Sequence, residues 1–174
     1  MVKRGAECYG ASMLRRLDSL AAFAVAASLA ALAGALIAQY GFGLRPCVLC
    51  IAQRIPFAVA AAAGLGALLL PMPEAVRRRL VATAGVLFLV NAGIAVYHVG
   101  VERHWWASPG CAAAASAAVT ARSLAEAMSR PVEVPCDKPA WQWHGVTMAA
   151  LNIVYSGALA AVTLLLVRRR EGTR

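Results

Sequence analysis

The residues of this chain best suited to chemistry are its cysteines, two of which stand three positions apart in the stretch RPCVLCIAQR, residues 45–54. The thiolate form of cysteine is the nucleophile, and it is favoured at a helix N-terminus and beside a cation. If a helix begins near Cys50, then Arg54 shares a helical face with it, at roughly 5–6 Å between the two Cβ atoms. The stretch therefore has the composition of a reactive dithiol beside a permanent positive charge, since arginine keeps its proton.

The composition around these residues is that of a membrane protein. Of the 174 residues, 61% are hydrophobic and 14% are charged, which is too little polar surface for a soluble domain of this size. A helix needs roughly 20 residues to cross the bilayer core, and four apolar segments come near that length. We therefore predict one all-α membrane domain over residues 1–174, a bundle of four transmembrane helices. The predicted spans are residues 19–38, 51–70, 80–98 and 146–167.

The net charge of +9 indicates membrane orientation rather than nucleic-acid binding, because the cations cluster at the ends of the spans. Eleven of the seventeen Lys and Arg residues fall on one side of the membrane, which the positive-inside rule makes the cytoplasm. Both termini are then cytoplasmic, and the loops at about residues 39–50 and 99–144 lie outside. The eleven cations are Lys3, Arg4, Arg15, Arg16, Arg77, Arg78, Arg79, Arg168, Arg169, Arg170 and Arg174.

The second outer loop contains an Ala-rich segment, residues 112–129, with good helix formers and a partly amphipathic face. It predicts a short helix on the membrane surface, and a disordered linker is the alternative. Small residues in the spans predict close helix packing, and four tryptophans at the outer span ends are typical of an aromatic belt. These residues are Gly34, Gly64, Gly66, Gly85 and Gly157, and Trp105, Trp106, Trp141 and Trp143.

Four of the five cysteines lie in the outer loops: Cys47, Cys50, Cys111 and Cys136. A zinc site is disfavoured because the second pair lacks the tight spacing of a zinc ribbon. Structural disulfides are a stronger alternative, but a bond between residues three apart closes a very small loop and adds little stability. Redox chemistry remains the favoured interpretation, and four cysteines allow three disulfide connectivities. Cys8, alone on the inner side, is interpreted as a spectator thiol.

Oxidation of a dithiol requires an electron acceptor. The chain contains neither a Gly-rich dinucleotide motif nor a haem attachment motif. A lipid-soluble quinone needs no such motif, only a pocket between helices near the membrane surface, which is the depth of residues 45–54. Arg54 could serve such a pocket or could simply extend its charge to the interface.

Three features together resemble the DsbB family of bacterial inner-membrane disulfide oxidases. They are RPCVLCIAQR at the head of the second span, Cys111 and Cys136 in the second outer loop, and WQWHGVTM leading into the fourth span. The resemblance covers roughly residues 17–167. It implies a thiol:quinone oxidoreductase that reoxidises a DsbA-like periplasmic thioredoxin-fold protein and passes electrons to ubiquinone or menaquinone. It also implies periplasmic outer loops and a monomer. No metal site is expected.

The resemblance assigns roles residue by residue. Cys47 and Cys50 form the pair oxidised by the quinone, and Cys111 and Cys136 form the pair that exchanges with the partner. The partner attacks at Cys111, and the freed Cys136 then attacks Cys47. Arg54 matches the arginine associated with the quinone.

His98 corresponds to a family histidine near the quinone, and local packing against Tyr97 is the alternative. Glu102 and His104 receive no role. Two further interpretations stay open: a DsbI-like oxidase with a dedicated substrate, and a non-enzymatic four-helix membrane protein braced by structural disulfides. The second predicts persistent disulfides and no dependence on quinone.

Overall fold

The computed structural model describes residues 2–106 and 134–168, with side chains from residue 16 onward. Most of this part of the chain is helical. The elements in chain order are helix α1 (Val2–Leu36), a π-helical turn (Ile37–Gly41), α2 (Val48–Ala52), α3 (Arg54–Leu69), α4 (Glu74–Glu102), strands β1 (Gln142–Trp143) and β2 (Val146–Thr147), and α5 (Met148–Arg168).

Among the described residues, four helical segments are long and apolar enough to cross a membrane, as predicted. They are Arg16–Gly41, Val48–Leu69, Glu74–Glu102 and Met148–Arg168. The second begins three residues earlier than predicted, because Cys47 caps the helix at Val48. The predicted surface helix at residues 112–129 lies outside the described residues.

A small hairpin, which the all-α prediction omitted, precedes α5. Strands β1 and β2 pair antiparallel, and the two residues between them, His144 and Gly145, both have positive φ angles, 48° and 80°. Two-residue hairpin turns with positive φ match the twist of the flanking strands. The hairpin sets the point at which α5 begins.

The bundle is built from neighbouring pairs of helices: α1 packs on α3, α3 on α4, and α4 on α5. Two of the predicted glycines permit this packing. A Cβ atom at Gly64 would lie 2.7 Å from Val25, and one at Gly85 would lie 2.8 Å from Leu164. At Gly34 and Gly157 the described residues leave open space instead.

The interior of the bundle is made of small residues around two aromatic rings. Phe57 on α3 and Phe88 on α4 have ring centroids 6.0 Å apart, and Phe57 also meets Tyr155 on α5. Alanines fill the remaining space, so the helices approach closely. The central cluster comprises Ala24, Ala27, Phe57, Ala60, Ala84, Phe88, Leu159 and Ala160.

One end of the bundle, where α3 gives way to α4, is closed by an ion pair, and we call it the arginine end. Arg77 pairs with Asp18 on α1 and also donates through Nε to the carbonyl oxygen of Ala67 at 2.8 Å. This single side chain therefore ties three helices together.

The other end, which we call the cysteine end, contains α2, the C-terminus of α4 and the start of α5. The tryptophan positions predicted for a membrane belt lie here. Trp106 stacks on Tyr97 with ring centroids 5.8 Å apart, and its Nε1 donates to the Tyr97 carbonyl at 3.1 Å. The ring covers Gly100, where a Cβ atom would collide with it.

Candidate active site

The dithiol sits at the start of α2. Cys47 is the N-cap residue, with extended φ and ψ of −80° and 173°, and its sulfur accepts the backbone N–H of Cys50 at 3.3 Å. The two sulfurs are 2.8 Å apart, and both are free thiols joined by a hydrogen bond. The helix begins at Val48, two residues before the start near Cys50 that the sequence indicates, so Cys47 is the residue that caps it.

Cys47 is the sulfur that the surroundings favour as a thiolate. The hydrogen bond from Cys50 lowers the pKa of the Cys47 thiol to about 4, with help from His98 and the Cys50 backbone and against the effect of burial. A thiolate at neutral pH is the form that attacks disulfides and donates electrons. The dithiol is therefore asymmetric, with Cys47 charged and Cys50 donating to it.

His98 of α4 lies beside the dithiol and has 4% of its surface exposed. Its Nε2 is 3.5 Å from the sulfur of Cys47, and its Nδ1 is 2.9 Å from Nε2 of Gln53. The structure thus brings His98 to the cysteines, across 51 positions of sequence.

The two sulfurs and the His98 ring nitrogen lie within 4.8 Å of one another, close enough to reach a common metal ion. The spacing of the sulfurs argues against that use. Two thiolates on a tetrahedral ion with Zn–S bonds of about 2.3 Å stand roughly 3.7 Å apart, whereas here the separation is 2.8 Å. The arrangement is that of a hydrogen-bonded dithiol.

Glu102, to which the sequence analysis gave no role, is part of the same site. Its side chain is 4% exposed, and one carboxylate oxygen is 3.7 Å from Nε2 of His98. The other accepts the hydroxyl of Thr147 at 2.6 Å, and Thr147 in turn accepts the N–H of Ala150 in the first turn of α5. The spacing of Glu102 four residues after His98 was a usable signal, because such residues share a helical face.

His104, the other unassigned residue, lies apart from the site. It has a positive φ of 59°, and its exposed ring is 3.7 Å from the carboxylate of Asp137.

Arg54 reaches the site from the start of α3. Its Nη1 donates to Oε1 of Gln39 at 2.7 Å, while its buried Nε has no hydrogen-bond partner among the described residues. The side chain lines the same cavity as Cys50. A buried guanidinium N–H without an acceptor is costly, so it is suited to an acceptor from outside the chain.

A cavity of about 630 Å³ opens at the cysteine end between α1, α3 and α5. Cys47, Cys50, Arg54 and His98 line it, and apolar side chains of the helices form most of its remaining wall. Its floor is marked by Tyr155, whose hydroxyl donates to the carbonyl of Ala27 at 2.8 Å. Apolar cavities of a few hundred to about a thousand Å³ with a few convergent polar groups are typical of cofactor sites.

Cys136 is brought to the dithiol from the distant part of the chain. It is 1% exposed and packs in one apolar cluster with Cys47 and Val101, against which Cys50 also lies. It is disulfide-bonded. The side chains of Cys8 and Cys111 lie outside the described residues, so three of the four outer cysteines are seen together.

These features define a class: a multi-pass membrane protein with a partly buried dithiol that opens on an apolar cavity. The family model for disulfide bond formation protein DsbB matches residues 17–166, which is most of the chain. The protein belongs to the DsbB family, a family of membrane oxidoreductases that act in disulfide bond formation. The family predicted from the cysteine motifs is thereby confirmed. No curated protein and no solved structure gives a significant match to the chain.

Proposed function

We propose that the protein is a thiol:quinone oxidoreductase that reoxidises a DsbA-like thioredoxin-fold protein in the periplasm. The observation that carries the proposal is the asymmetric dithiol of Cys47 and Cys50, which opens on a 630 Å³ apolar cavity shared with Arg54. A dithiol in that position can receive electrons from a thiol partner on one side and release them into the cavity on the other.

The cysteine end faces the periplasm, and both termini face the cytoplasm of a bacterial inner membrane. The support is the concentration of cations at the opposite end, where Arg77, Arg78, Arg79 and Arg168 are found. A membrane-impermeant thiol reagent applied to intact cells after reduction tests this orientation. Labelling of Cys111 without labelling of Cys8 agrees with it, and the reverse pattern rejects it.

The first half of the reaction takes place on the outer pair, Cys111 and Cys136. A thiolate of the reduced partner attacks the disulfide at Cys111, forms a mixed disulfide and releases Cys136 as a thiolate. The burial of Cys136 supports this choice, because a soluble protein cannot reach a sulfur that is 1% exposed.

In the second half of the reaction, the disulfide passes from the Cys47–Cys50 pair to the outer pair, and the electrons pass in the opposite direction. When Cys47 and Cys50 are oxidised, the freed Cys136 attacks Cys47, and Cys50 leaves as a thiolate. The packing of Cys136 against Cys47 supports this step. The second partner thiol then displaces Cys111, and Cys111 closes on Cys136 again, which leaves an oxidised partner and a reduced Cys47–Cys50 pair.

The residues around the cavity fit a quinone. The apolar wall would suit its ring and the start of its isoprenoid tail, and Arg54 Nε, which has no partner among the described residues, could donate to a carbonyl oxygen. His98 and Arg54 would hold the quinone head group. When bound there, ubiquinone would supply an acceptor for the two electrons and two protons that the dithiol loses when it becomes a disulfide.

The experiment is an assay of purified protein with a reduced thioredoxin-like protein as electron donor and ubiquinone as acceptor. We expect quinol formation and partner oxidation in equal amounts, and loss of both in Cys50→Ser. Cys8→Ser is the matched control and should retain the full rate. Equal rates in the wild-type protein and in Cys50→Ser would reject the proposed function.

A further inference from the structure

A chain of polar side chains runs from His98 into the middle of the bundle. Its far end is Asn91, halfway along α4, which is fully buried, as is Ser156 of α5. Polar side chains inside a membrane bundle are costly and are usually retained for function. Neither residue lines the cavity formed by the described residues, so neither can touch a ligand bound there.

The hydrogen bonds of the chain have a definite direction. Asn91 Nδ2 donates to Ser156 Oγ at 3.0 Å, and Ser156 Oγ donates to Asn152 Oδ1 at 2.9 Å. Asn152 Nδ2 donates to Gln53 Oε1 at 2.7 Å. Gln53 Nε2 then faces Nδ1 of His98 at 2.9 Å.

The direction of these hydrogen bonds determines which nitrogen of the His98 imidazole carries the hydrogen. Because Gln53 uses its oxygen to accept from Asn152, it presents only its NH₂ group to His98, and an NH₂ group cannot accept a hydrogen bond. Nδ1 of His98 must therefore be the unprotonated nitrogen, and a neutral ring carries its hydrogen on Nε2. The Nε2 nitrogen that carries this hydrogen is 3.5 Å from the Cys47 sulfur and 3.7 Å from a carboxylate oxygen of Glu102, so two acceptors are near it.

If the Gln53 amide were turned over, the result would be the opposite. Its oxygen would face His98 and require a hydrogen on Nδ1, so Nε2 of a neutral ring would present a lone pair to Cys47. A lone pair repels a thiolate, whereas an N–H stabilises it. The orientation of the Gln53 amide therefore determines whether His98 presents an N–H group or a lone pair to the Cys47 sulfur.

The buried end of the chain selects between these orientations. Two donors converge on Oδ1 of Asn152, the Ser156 hydroxyl at 2.9 Å and the Asn91 NH₂ at 3.5 Å. Asn152 must therefore turn its own NH₂ towards Gln53. Asn91 Oδ1 is left without a partner among the described residues, which marks the end of the chain.

We propose that Asn152, Ser156 and Asn91 are positioning residues of the redox site. Acting through Gln53, they hold the hydrogen of His98 on Nε2, where it donates to the Cys47 thiolate. The use of this hydrogen bond in catalysis rests on the proposed function. Which ring nitrogen of His98 carries the hydrogen can be measured in the reduced protein without quinone or partner.

The protonation of the His98 ring can be measured without interference, because the protein contains only three histidines. The other two, His104 and His144, are exposed and have positive φ angles, which asparagine tolerates well. Replacing both with asparagine leaves His98 as the sole histidine. Nitrogen NMR of isotope-labelled histidine then distinguishes the protonated ring nitrogen from the unprotonated one, and we expect the hydrogen on Nε2 alone.

Two substitutions at the cavity end of the chain test what sets this state. Asn152→Leu removes the donor to Gln53, so the amide can turn over and the signals should shift to a mixture of the two ring forms. Gln53→Glu puts a carboxylate, which accepts only, beside Nδ1 and should move the hydrogen there. Thr163→Val is the matched control, since Thr163 is also a fully buried hydroxyl on α5, without a hydrogen bond among the described residues. It should leave the spectrum unchanged.

Persistence of the Nε2 hydrogen in Asn152→Leu would overturn the proposal, and so would its persistence in Gln53→Glu. If Asn152→Leu does not fold, the nearly isosteric Gln53→Glu decides alone. A wild-type protein with the expected ring state but without quinone-dependent oxidation would reject the proposed function and leave this inference standing.

Discussion

The two ends of the bundle solve the problem of polar groups in a membrane in different ways. At the arginine end, one ion pair between Arg77 and Asp18 joins α4 to α1, and the core beside it is apolar. At the cysteine end, polar side chains bond to one another in a series, and three of them, Gln53, His98 and Asn152, line an open cavity whose wall is otherwise mostly apolar. Buried polar atoms without partners among the described residues include Arg54 Nε at the cavity and Asn91 Oδ1 at the end of the chain.

Because the two ends differ in this way, substitutions at one end should change mainly the stability of the protein, and substitutions at the other should change mainly its redox rates. At the arginine end Arg77 and Asp18 satisfy each other's charge, so substitutions of this pair should affect folding and leave redox rates unchanged. The cysteine end carries an unsatisfied donor beside the reactive sulfurs, so its substitutions should affect rates more than folding.

The largest effect is expected at Arg54. Arg54→Met removes a charged donor from the cavity, and hydrogen bonds to charged groups contribute about 1.5–3 kcal/mol, so kcat/KM for quinone should fall about ten- to a hundred-fold. Steady-state assays over a range of quinone concentrations measure it. Arg79→Met, at the arginine end, is the matched control and should keep the wild-type value. An unchanged kcat/KM in Arg54→Met would assign that arginine to the membrane interface alone.

An intermediate effect is expected in the pH dependence of Cys47. Because the pKa of this thiol is lowered to about 4, the group should stay a thiolate at neutral pH and become protonated only as the pH falls through that value. The rate of Cys47 alkylation in the reduced protein, corrected for the reagent, should therefore be flat from neutral pH down to about pH 5 and fall about tenfold per unit below the pKa.

Replacing His98 sharpens this test. His98→Phe removes a donor to the thiolate, so the pKa should rise and the alkylation rate should begin to fall at a higher pH. Mass spectrometry separates modification of Cys47 from modification of the other cysteines. A rate that falls on acidification from pH 8 in the wild-type protein, as for an ordinary thiol, would contradict the asymmetric dithiol.

The smallest effect is expected at the arginine end. Asp18→Asn removes the partner of Arg77, and because the Asp18 side chain is 43% exposed, the loss of stability should be about 1 kcal/mol or less. Thermal unfolding in detergent measures this loss. The quinone-dependent rate per folded molecule should stay at the wild-type value, and a large drop in that rate would break the separation between the two ends.

The sequence predicts the spans well because hydrophobic length is a direct physical requirement of the bilayer. It also predicts which end carries the cysteines. It does not predict the partners of His98, since Gln53 is 45 positions away and Asn152 lies 99 positions beyond Gln53. Only helix packing brings those side chains together.

Two local features show a different limit of the sequence. The choice between Cys47 and Cys50 depends on the backbone angles of one capping residue, which the CxxC spacing leaves open. The hairpin before α5 had a usable signal, since the dipeptide His144–Gly145 stands between two short β-prone segments. For Arg77 the sequence indicates only a role in membrane orientation, because its partner Asp18 is 59 positions away.

The central claim is that electrons enter at Cys111 and reach the cavity through Cys136 and Cys47, and trapping the partner tests it most directly. In Cys136→Ser the outer disulfide cannot form again, so an adduct between Cys111 and an oxidised thioredoxin-like partner should persist. Cys111→Ser should give far less adduct, and Cys8→Ser should behave as the wild-type protein does. The measurement is non-reducing electrophoresis of acid-quenched cells, with the linked cysteine identified by mass spectrometry. An adduct at Cys111 agrees with the account, whereas an adduct at Cys47, or full quinone-dependent oxidation in both outer-pair variants, would contradict it.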